Sequence, residues 1–127
     1  MNRPTHFEIH AGDPDRAARF YAAVFDWRFR RWDGPEEYWL VTTGDGPGIN
    51  GGMVRRRGAA PVDGQPVNAY PLTIKVASCD DTMAAILASG GSVALPKGAL
   101  PGMGWLAFAK DPEGNIFGVM QDDRSAA

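Results

Sequence analysis

The chain has 127 residues, 44% of them hydrophobic, and a formal net charge of −2 at pH 7, so it fits one domain or two half-size modules sharing a core. So weak a charge gives no field to attract nucleic acid or an anionic membrane, and we expect neither as a partner. One cysteine, no signal-like start and no apolar run near the ~20 residues of a membrane span predict a cytoplasmic protein.

The first part of the chain predicts a β-α-β-β-β unit. Residues 5–10 alternate apolar and polar, as a half-buried strand does, and Asp13-Pro14 then forms a typical helix start. The predicted helix covers 14–25, with apolar residues at intervals of three and four that would pack on a sheet. Turn-forming segments rich in glycine and proline separate three further predicted strands, over 27–32, 37–43 and 49–55.

The second part predicts the same order of elements. Residues 58–68 contain glycine, proline and an Asp-Gly pair without periodicity, which indicates a linker. A strand over 70–77 and a helix over 80–89 follow, and Gly90-Gly91 is typical of a helix end. Three more strands are predicted, over 92–95, 104–110 and 115–121.

An internal repeat supports this division. Gly44–Met53 reappears as Asp111–Met120, with Gly51 and Met53 returning as Gly118 and Met120. Trp39-Leu40 likewise returns as Trp105-Leu106. We therefore predict one α+β domain over residues 1–127, with modules at about 4–57 and 69–122 whose matching positions line a shared cleft.

Strand alternation predicts which side chains face that cleft. Since residues i and i+2 share a face, Phe7 and Ile9 belong to one side of the first strand. The other side carries ionisable residues: His6, Glu8 and His10. In the second copy Ile74 lies opposite Thr73 and Lys75 in the same way. The apolar faces should pack on the helices, and Met53 and Met120 are expected on the cleft side.

Several of these segments resemble a known superfamily. His6-Phe-Glu-Ile, Phe20-Tyr21 on the first helix and the run Gly104–Asn115 are similar to the vicinal oxygen chelate superfamily of glyoxalase I, extradiol dioxygenases and bleomycin and fosfomycin resistance proteins. The resemblance implies two βαβββ modules that form a half-barrel mixed sheet around a cleft, with helices outside. It also implies a small-molecule ligand and a homodimer.

The resemblance supplies a metal site to compare with this chain. Glyoxalase-like members hold a divalent metal with His or Glu from the first strand of each copy and carboxylates from the last strands. The matching positions are His6, Pro71, Gly51 and Gly118, of which only His6 has a donor side chain. We therefore predict no metal of the usual kind and no cofactor. A different metal site formed by His6, Glu8 and His10 stays open.

Two functions follow as hypotheses. The first is a metal-free protein that binds a small, partly aromatic molecule in the cleft. Its predicted ligand-binding residues are His6, Glu8, His10, Trp39, Met53, Thr73, Lys75, Trp105 and Met120. The two tryptophans would stack on a planar ligand, although core packing is the commoner role for such residues. The second is a lyase, dioxygenase or isomerase that uses a metal at His6, or Glu8 as general base. Glu8 could instead form a structural ion pair, with Lys75 among its candidate partners.

Overall fold

The computed structural model describes residues 3–127 and confirms two βαβββ units. The chain divides between Ala60 and Pro61. The elements of the first unit are β1 (His6–Ala11), α1 (Pro14–Phe25), β2 (Arg28–Arg31), β3 (Trp39–Thr42) and β4 (Asn50–Arg55). Those of the second unit are β5 (Thr73–Lys75), α2 (Cys79–Ala88), β6 (Ser92–Leu100), β7 (Gly104–Lys110) and β8 (Ile116–Asp122).

Each unit contains one four-stranded mixed sheet. The strand order is β1-β4-β3-β2 in the first and β5-β8-β7-β6 in the second. The first strand of each unit pairs in parallel with the last, and the remaining pairs are antiparallel. The first and last strands of a unit therefore lie side by side, although most of the unit separates them in sequence.

The start of α1 and the end of α2 have the capping residues that the sequence predicts, although α2 begins one residue earlier than predicted, at Cys79. The Asp13 carboxylate accepts a hydrogen bond from the Arg16 amide (3.1 Å) at the start of α1, and Pro14 occupies its first turn. At the end of α2, Gly90 has φ +95° and the next amide, of Gly91, donates to the Ile86 carbonyl (2.8 Å). Neither helix within residues 3–127 has the length and apolar character of a membrane span.

An aromatic cluster holds α1 against the first sheet. The Tyr21 ring stacks on Trp27 with centroids 5.1 Å apart, and Trp27 in turn lies 5.5 Å from Phe7 of β1. Phe7 and Ile9 are buried beneath the helix, whereas His6, Glu8 and His10 are exposed. The predicted division of β1 into an apolar and an ionisable face is confirmed.

In the second unit the packing of α2 is fixed from its first residue. The Cys79 amide donates to Oε1 of Gln121 on β8 (2.8 Å), which ties the start of the helix to the sheet. Ile86 of α2 and Val119 of β8 are fully buried. Because burial makes the charged form of the Cys79 thiol less favourable, the pKa of this group is raised. Cys79 is therefore a structural residue of this core.

Two strands differ most in length from their predictions. β5 covers only Thr73–Lys75, and β6 continues to Leu100 although residues 92–95 alone were predicted. Shifts in its register against β7, between Val93 and Leu95 and between Leu95 and Gly98, accommodate Pro96 without ending the pairing. The proline therefore marks an irregularity in an edge strand and not its end.

The register of β1 against β4 corrects the predicted orientation of Met53. Met53 pairs with Ile9 in parallel and has no exposed surface, so it belongs to the face that packs on α1. Met120 pairs with Lys75 and is half-buried on the opposite side of its sheet from α2, as predicted. The two methionines match in sequence but not in position, so the predicted placement of Met53 on the cleft side of its sheet is wrong.

Because Met53 is buried and Met120 is half-buried, replacing each with alanine should lower the free energy of unfolding by different amounts. Met53→Ala would leave a cavity under α1 and lower the free energy of unfolding by about 2–5 kcal/mol. Met120→Ala removes the same atoms from a half-exposed site and should cost less than half as much. Urea denaturation of both variants measures the difference. Equal losses in the two variants would contradict the assignment of these side chains to opposite sides of their sheets.

Candidate functional site

The side of the first sheet away from α1 carries most of the predicted polar residues. We call it the helix-free face. The register places Glu8, Gly52, Leu40 and Arg30 in one row across its four strands. Strand alternation adds the other members of the face: His6, His10, Val54, Tyr38, Thr42, Asn50 and Arg28.

Tyr38 occupies the centre of the helix-free face. Its phenol ring lies directly over Gly52, so that a Cβ atom at Gly52 would overlap the Tyr38 hydroxyl. The same hydroxyl forms a 2.9 Å hydrogen bond with Nε2 of His6. A side chain that the sequence did not single out therefore fills the space above β4. It contacts His6, the one donor among the positions that match the family's metal site.

The surroundings of Tyr38 keep its proton in place. Partial burial raises the pKa of the phenol above its ordinary value, and the nearby Glu8 carboxylate raises it further. The protonated hydroxyl can donate a hydrogen bond to an unprotonated Nε2 of His6 or to a ligand oxygen. The Tyr38–His6 pair can bind a polar ligand atom without any metal.

Glu8 and His10 form a second pair on β1. Nε2 of His10 lies 2.9 Å from Oε1 of Glu8, and both side chains are about half exposed. Lys75, a candidate partner of Glu8, pairs with Asp122 within its own unit (2.7 Å). Among residues 3–127, no three His, Cys, Asp or Glu side chains lie together as a metal site requires, and this includes His6, Glu8 and His10.

A second aromatic ring borders Tyr38. The Trp32 amide donates to the Tyr38 carbonyl (2.8 Å), which continues the β2–β3 pairing and brings Trp32 onto the same face. The two rings meet edge to face, with centroids 6.3 Å apart. The indole also lies against Gly34, where any side chain would overlap it. Trp32 stays 40% exposed although its ring is held on two sides.

The two tryptophans predicted to stack on a ligand lie on the helix sides of their sheets. Trp39 pairs with the buried Met53, and Arg31 lies over its ring at 5.2 Å. Trp105 pairs with Gln121, the residue that binds the start of α2, and its Nε1 donates to Asp123 (3.0 Å). The predicted orientation of both rings is therefore wrong, and Trp32 and Tyr38 supply the aromatic surface of the helix-free face.

The second sheet carries the remaining predicted residues. Thr73, Lys75 and Met120 lie on its side away from α2, beside the half-buried Phe108 and Leu106. Thr73 and Lys75 are exposed. This surface occupies the same side of its sheet as the helix-free face does in the first unit. Its side chains differ, because most of them are apolar.

The two registers also correct which glycines correspond. Glu8 and Thr73 each lie five residues before the N-cap of their helix, Asp13 and Ser78. Glu8 pairs with Gly52 and Thr73 pairs with Gly118, so Gly52, and not Gly51, is the counterpart of Gly118. Both positions still lack a donor side chain.

A polar depression lies at one end of the first sheet. Its volume is about 310 Å³, and its lining includes Arg28, Thr42 and the carboxylates of Asp26 and Asp45. No predicted site residue lines it. Its mixed charges do not select one class of ligand.

The comparison with protein families gives one match. The model of the glyoxalase-like domain matches residues 6–120, which includes every element except the last two residues of β8. No curated protein matches the chain in sequence.

Solved structures share the fold over nearly the whole chain. A glyoxylase/bleomycin resistance protein/dioxygenase domain from Frankia sp. has 19% identity and a TM-score of 0.73, covering 97% of this chain and 99% of that one. TnmS3, an antibiotic binding protein from Streptomyces sp., has 20% identity and a TM-score of 0.69, covering 97% and 98%. The fosfomycin resistance protein FosX from Listeria monocytogenes has 12% identity and a TM-score of 0.72, covering 97% and 94%.

The environment of Tyr38 predicts a late step in an alkaline titration. Because the folded state holds the phenol proton to higher pH than the unfolded chain, this group stabilises the fold fully below pH ~10 and less as pH rises beyond it. Absorbance of tyrosinate should therefore show ionisation above the ordinary range, and Tyr38→Phe should remove the component of it that Tyr38 contributes. Tyr70 is fully exposed, so Tyr70→Phe is the control and should leave that component intact. Loss of the component in the control alone would contradict this environment for Tyr38.

Proposed function

Since the chain belongs to the glyoxalase-like domain family, we propose that it binds a small aromatic molecule on the helix-free face of its first sheet, without a divalent metal. The position of Tyr38 carries this proposal. Its ring covers Gly52, and its hydroxyl binds His6. The Tyr38 phenol therefore occupies the space beside His6 in which a carboxylate from β4 would have to lie to share a metal with it.

The other groups on the face suit an aromatic ligand. Trp32 and Tyr38 present ring surface, and Leu40 lies in the same row of side chains as Gly52. Aromatic and aliphatic surface with a few polar groups is typical of small-molecule sites. The Tyr38 hydroxyl and the Glu8–His10 pair would orient a ligand through its polar atoms.

One structural neighbour has a corresponding role. TnmS3 is described as an antibiotic binding protein, which supports binding as a function of this fold. At 20% identity it supports no particular ligand for this chain. The homodimer implied by the family resemblance remains part of the proposal, and light scattering on the purified protein would test it.

We expect a neutral two-ring aromatic amide, 2-naphthamide, to bind and to quench tryptophan fluorescence. Trp32→Leu should weaken binding roughly tenfold, since an aromatic contact contributes about 0.5–1.5 kcal/mol beyond its buried area. Trp39→Leu is the matched control, because it removes a half-exposed indole from the helix side of the same sheet. Isothermal titration calorimetry gives the affinities.

The proposal is wrong if wild-type protein does not bind the amide, or if the two leucine variants weaken binding equally. The amide should also be recovered chemically unchanged after incubation. An altered product would favour an enzyme of this family.

The metal-free part of the proposal has its own test. Nickel, zinc, iron or manganese added to the purified protein should neither bind in stoichiometric amount nor raise the melting temperature. His6→Ala should leave this result unchanged, since the imidazole is bound to Tyr38. Elemental analysis after dialysis, with thermal unfolding, measures both effects. One metal per chain that is lost in His6→Ala would contradict the proposal.

The Glu8–His10 pair favours one further candidate, a metal-free isomerase. A carboxylate that orients an imidazole is a common arrangement for moving a proton. In that case Glu8→Gln should remove turnover of a substrate while its binding stays within about threefold of wild type. Loss of binding in the same variant would assign Glu8 to ligand orientation.

A further inference from the structure

We propose that the ligand of the helix-free face is an aromatic acid, whose anionic group binds Arg30 while its ring lies against Trp32 and Tyr38. This inference rests on the proposed function and narrows it to a class of ligand. It depends on three features of β2 and β3: the side on which Arg30 lies, the absence of a partner for it, and its spacing from the aromatic pair.

The face on which Arg30 lies follows from the register. Arg30 pairs with Leu40, which pairs with Gly52 beneath the Tyr38 ring. Its neighbour Phe29 contacts Tyr21 of α1, with ring centroids 6.3 Å apart, and so marks the helix side of β2. Arg30 therefore points away from α1, and Arg28 does the same.

Arg30 has no acidic partner in the part of the chain that the structure describes. Within residues 3–127, no carboxylate lies within ion-pairing distance of the guanidinium of Arg30 or of Arg28. The other charged pair of the face, Glu8 and His10, lies three strands away, or roughly 14 Å at the usual spacing. That exceeds the screening length of about 8 Å at physiological salt, so Glu8 does not neutralise Arg30. A guanidinium free to bind two oxygens remains on the face.

The spacing of Arg30 from Trp32 sets the shape of the ligand. Residues two apart on a strand are separated by roughly 6.6 Å and point to the same side. A ring that contacts Trp32 would therefore bring a substituent on its edge to Arg30. Guanidinium groups bind carboxylates through paired, charge-assisted hydrogen bonds, so an aromatic acid fits both contacts at once.

The adjacent Arg31 provides a matched control. It belongs to the same strand and carries the same charge, but its guanidinium lies over Trp39 on the helix side of the sheet. Arg30→Gln and Arg31→Gln therefore lower the net charge equally and differ in the face that they alter. A long-range effect of charge would appear in both variants.

The experiment compares 2-naphthoate with 2-naphthamide, two probes of the same shape that differ in charge. The wild-type protein should bind the acid about fivefold more tightly than the amide at low salt, and the difference should shrink in 1 M salt. Arg30→Gln should abolish the preference for the acid while leaving the affinity for the amide within about twofold of wild type. Arg31→Gln should keep the preference.

Each outcome of this comparison decides one question. Equal binding of acid and amide by the wild type overturns the acid inference and leaves the proposed aromatic binding intact. Equal loss of preference in Arg30→Gln and Arg31→Gln also overturns it, since a general charge effect would then suffice. If neither probe binds, the proposed function fails and the acid inference fails with it.

Discussion

The packing of α1 on the first sheet is the constraint on which the other features depend. Phe7, Tyr21 and Trp27 form one buried cluster, and their large apolar area makes any other placement of β1 costly. With Phe7 under the helix, alternation along the strand turns His6 and Glu8 to the opposite side. The register with β4 then brings Gly52 beside Glu8 on that side.

The pair of glycines in β4 has two different structural reasons. A Cβ at Gly51 would lie 2.5 Å from the Phe7 carbonyl oxygen, so the backbone of β1 leaves no room for a side chain. At Gly52 the obstacle is the Tyr38 ring, on the other face of the sheet. Because Gly52 has no side chain, β4 offers no ligand atom at this position. The Tyr38 phenol, from the segment that leads into β3, occupies the space instead. This arrangement gives the face a hydroxyl and an aromatic surface in place of a carboxylate.

The two units share their topology but not their chemistry. The counterpart of His6 is Pro71, and the register places Leu106 where the first unit has Tyr38. The second sheet therefore has neither the imidazole nor the phenol, and its helix-free side is mainly apolar. The two units share the fold, while the imidazole–phenol pair belongs to the first unit.

The sequence by itself determined the fold class, the span of α1 and the two faces of β1, because these follow from periodicity and helix caps within short segments. It also showed that the positions matching the family metal site offer one donor, His6. Only the tertiary structure decided which residues surround that histidine. Because two glycines stand side by side in β4, the sequence allows Gly118 to be aligned with Gly51 when its structural counterpart is Gly52. This shift of one residue placed Met53 on the wrong side of the predicted sheet. Apolar residues on both sides of β3 likewise concealed the orientation of Trp39, since its side depends on pairing with a distant strand.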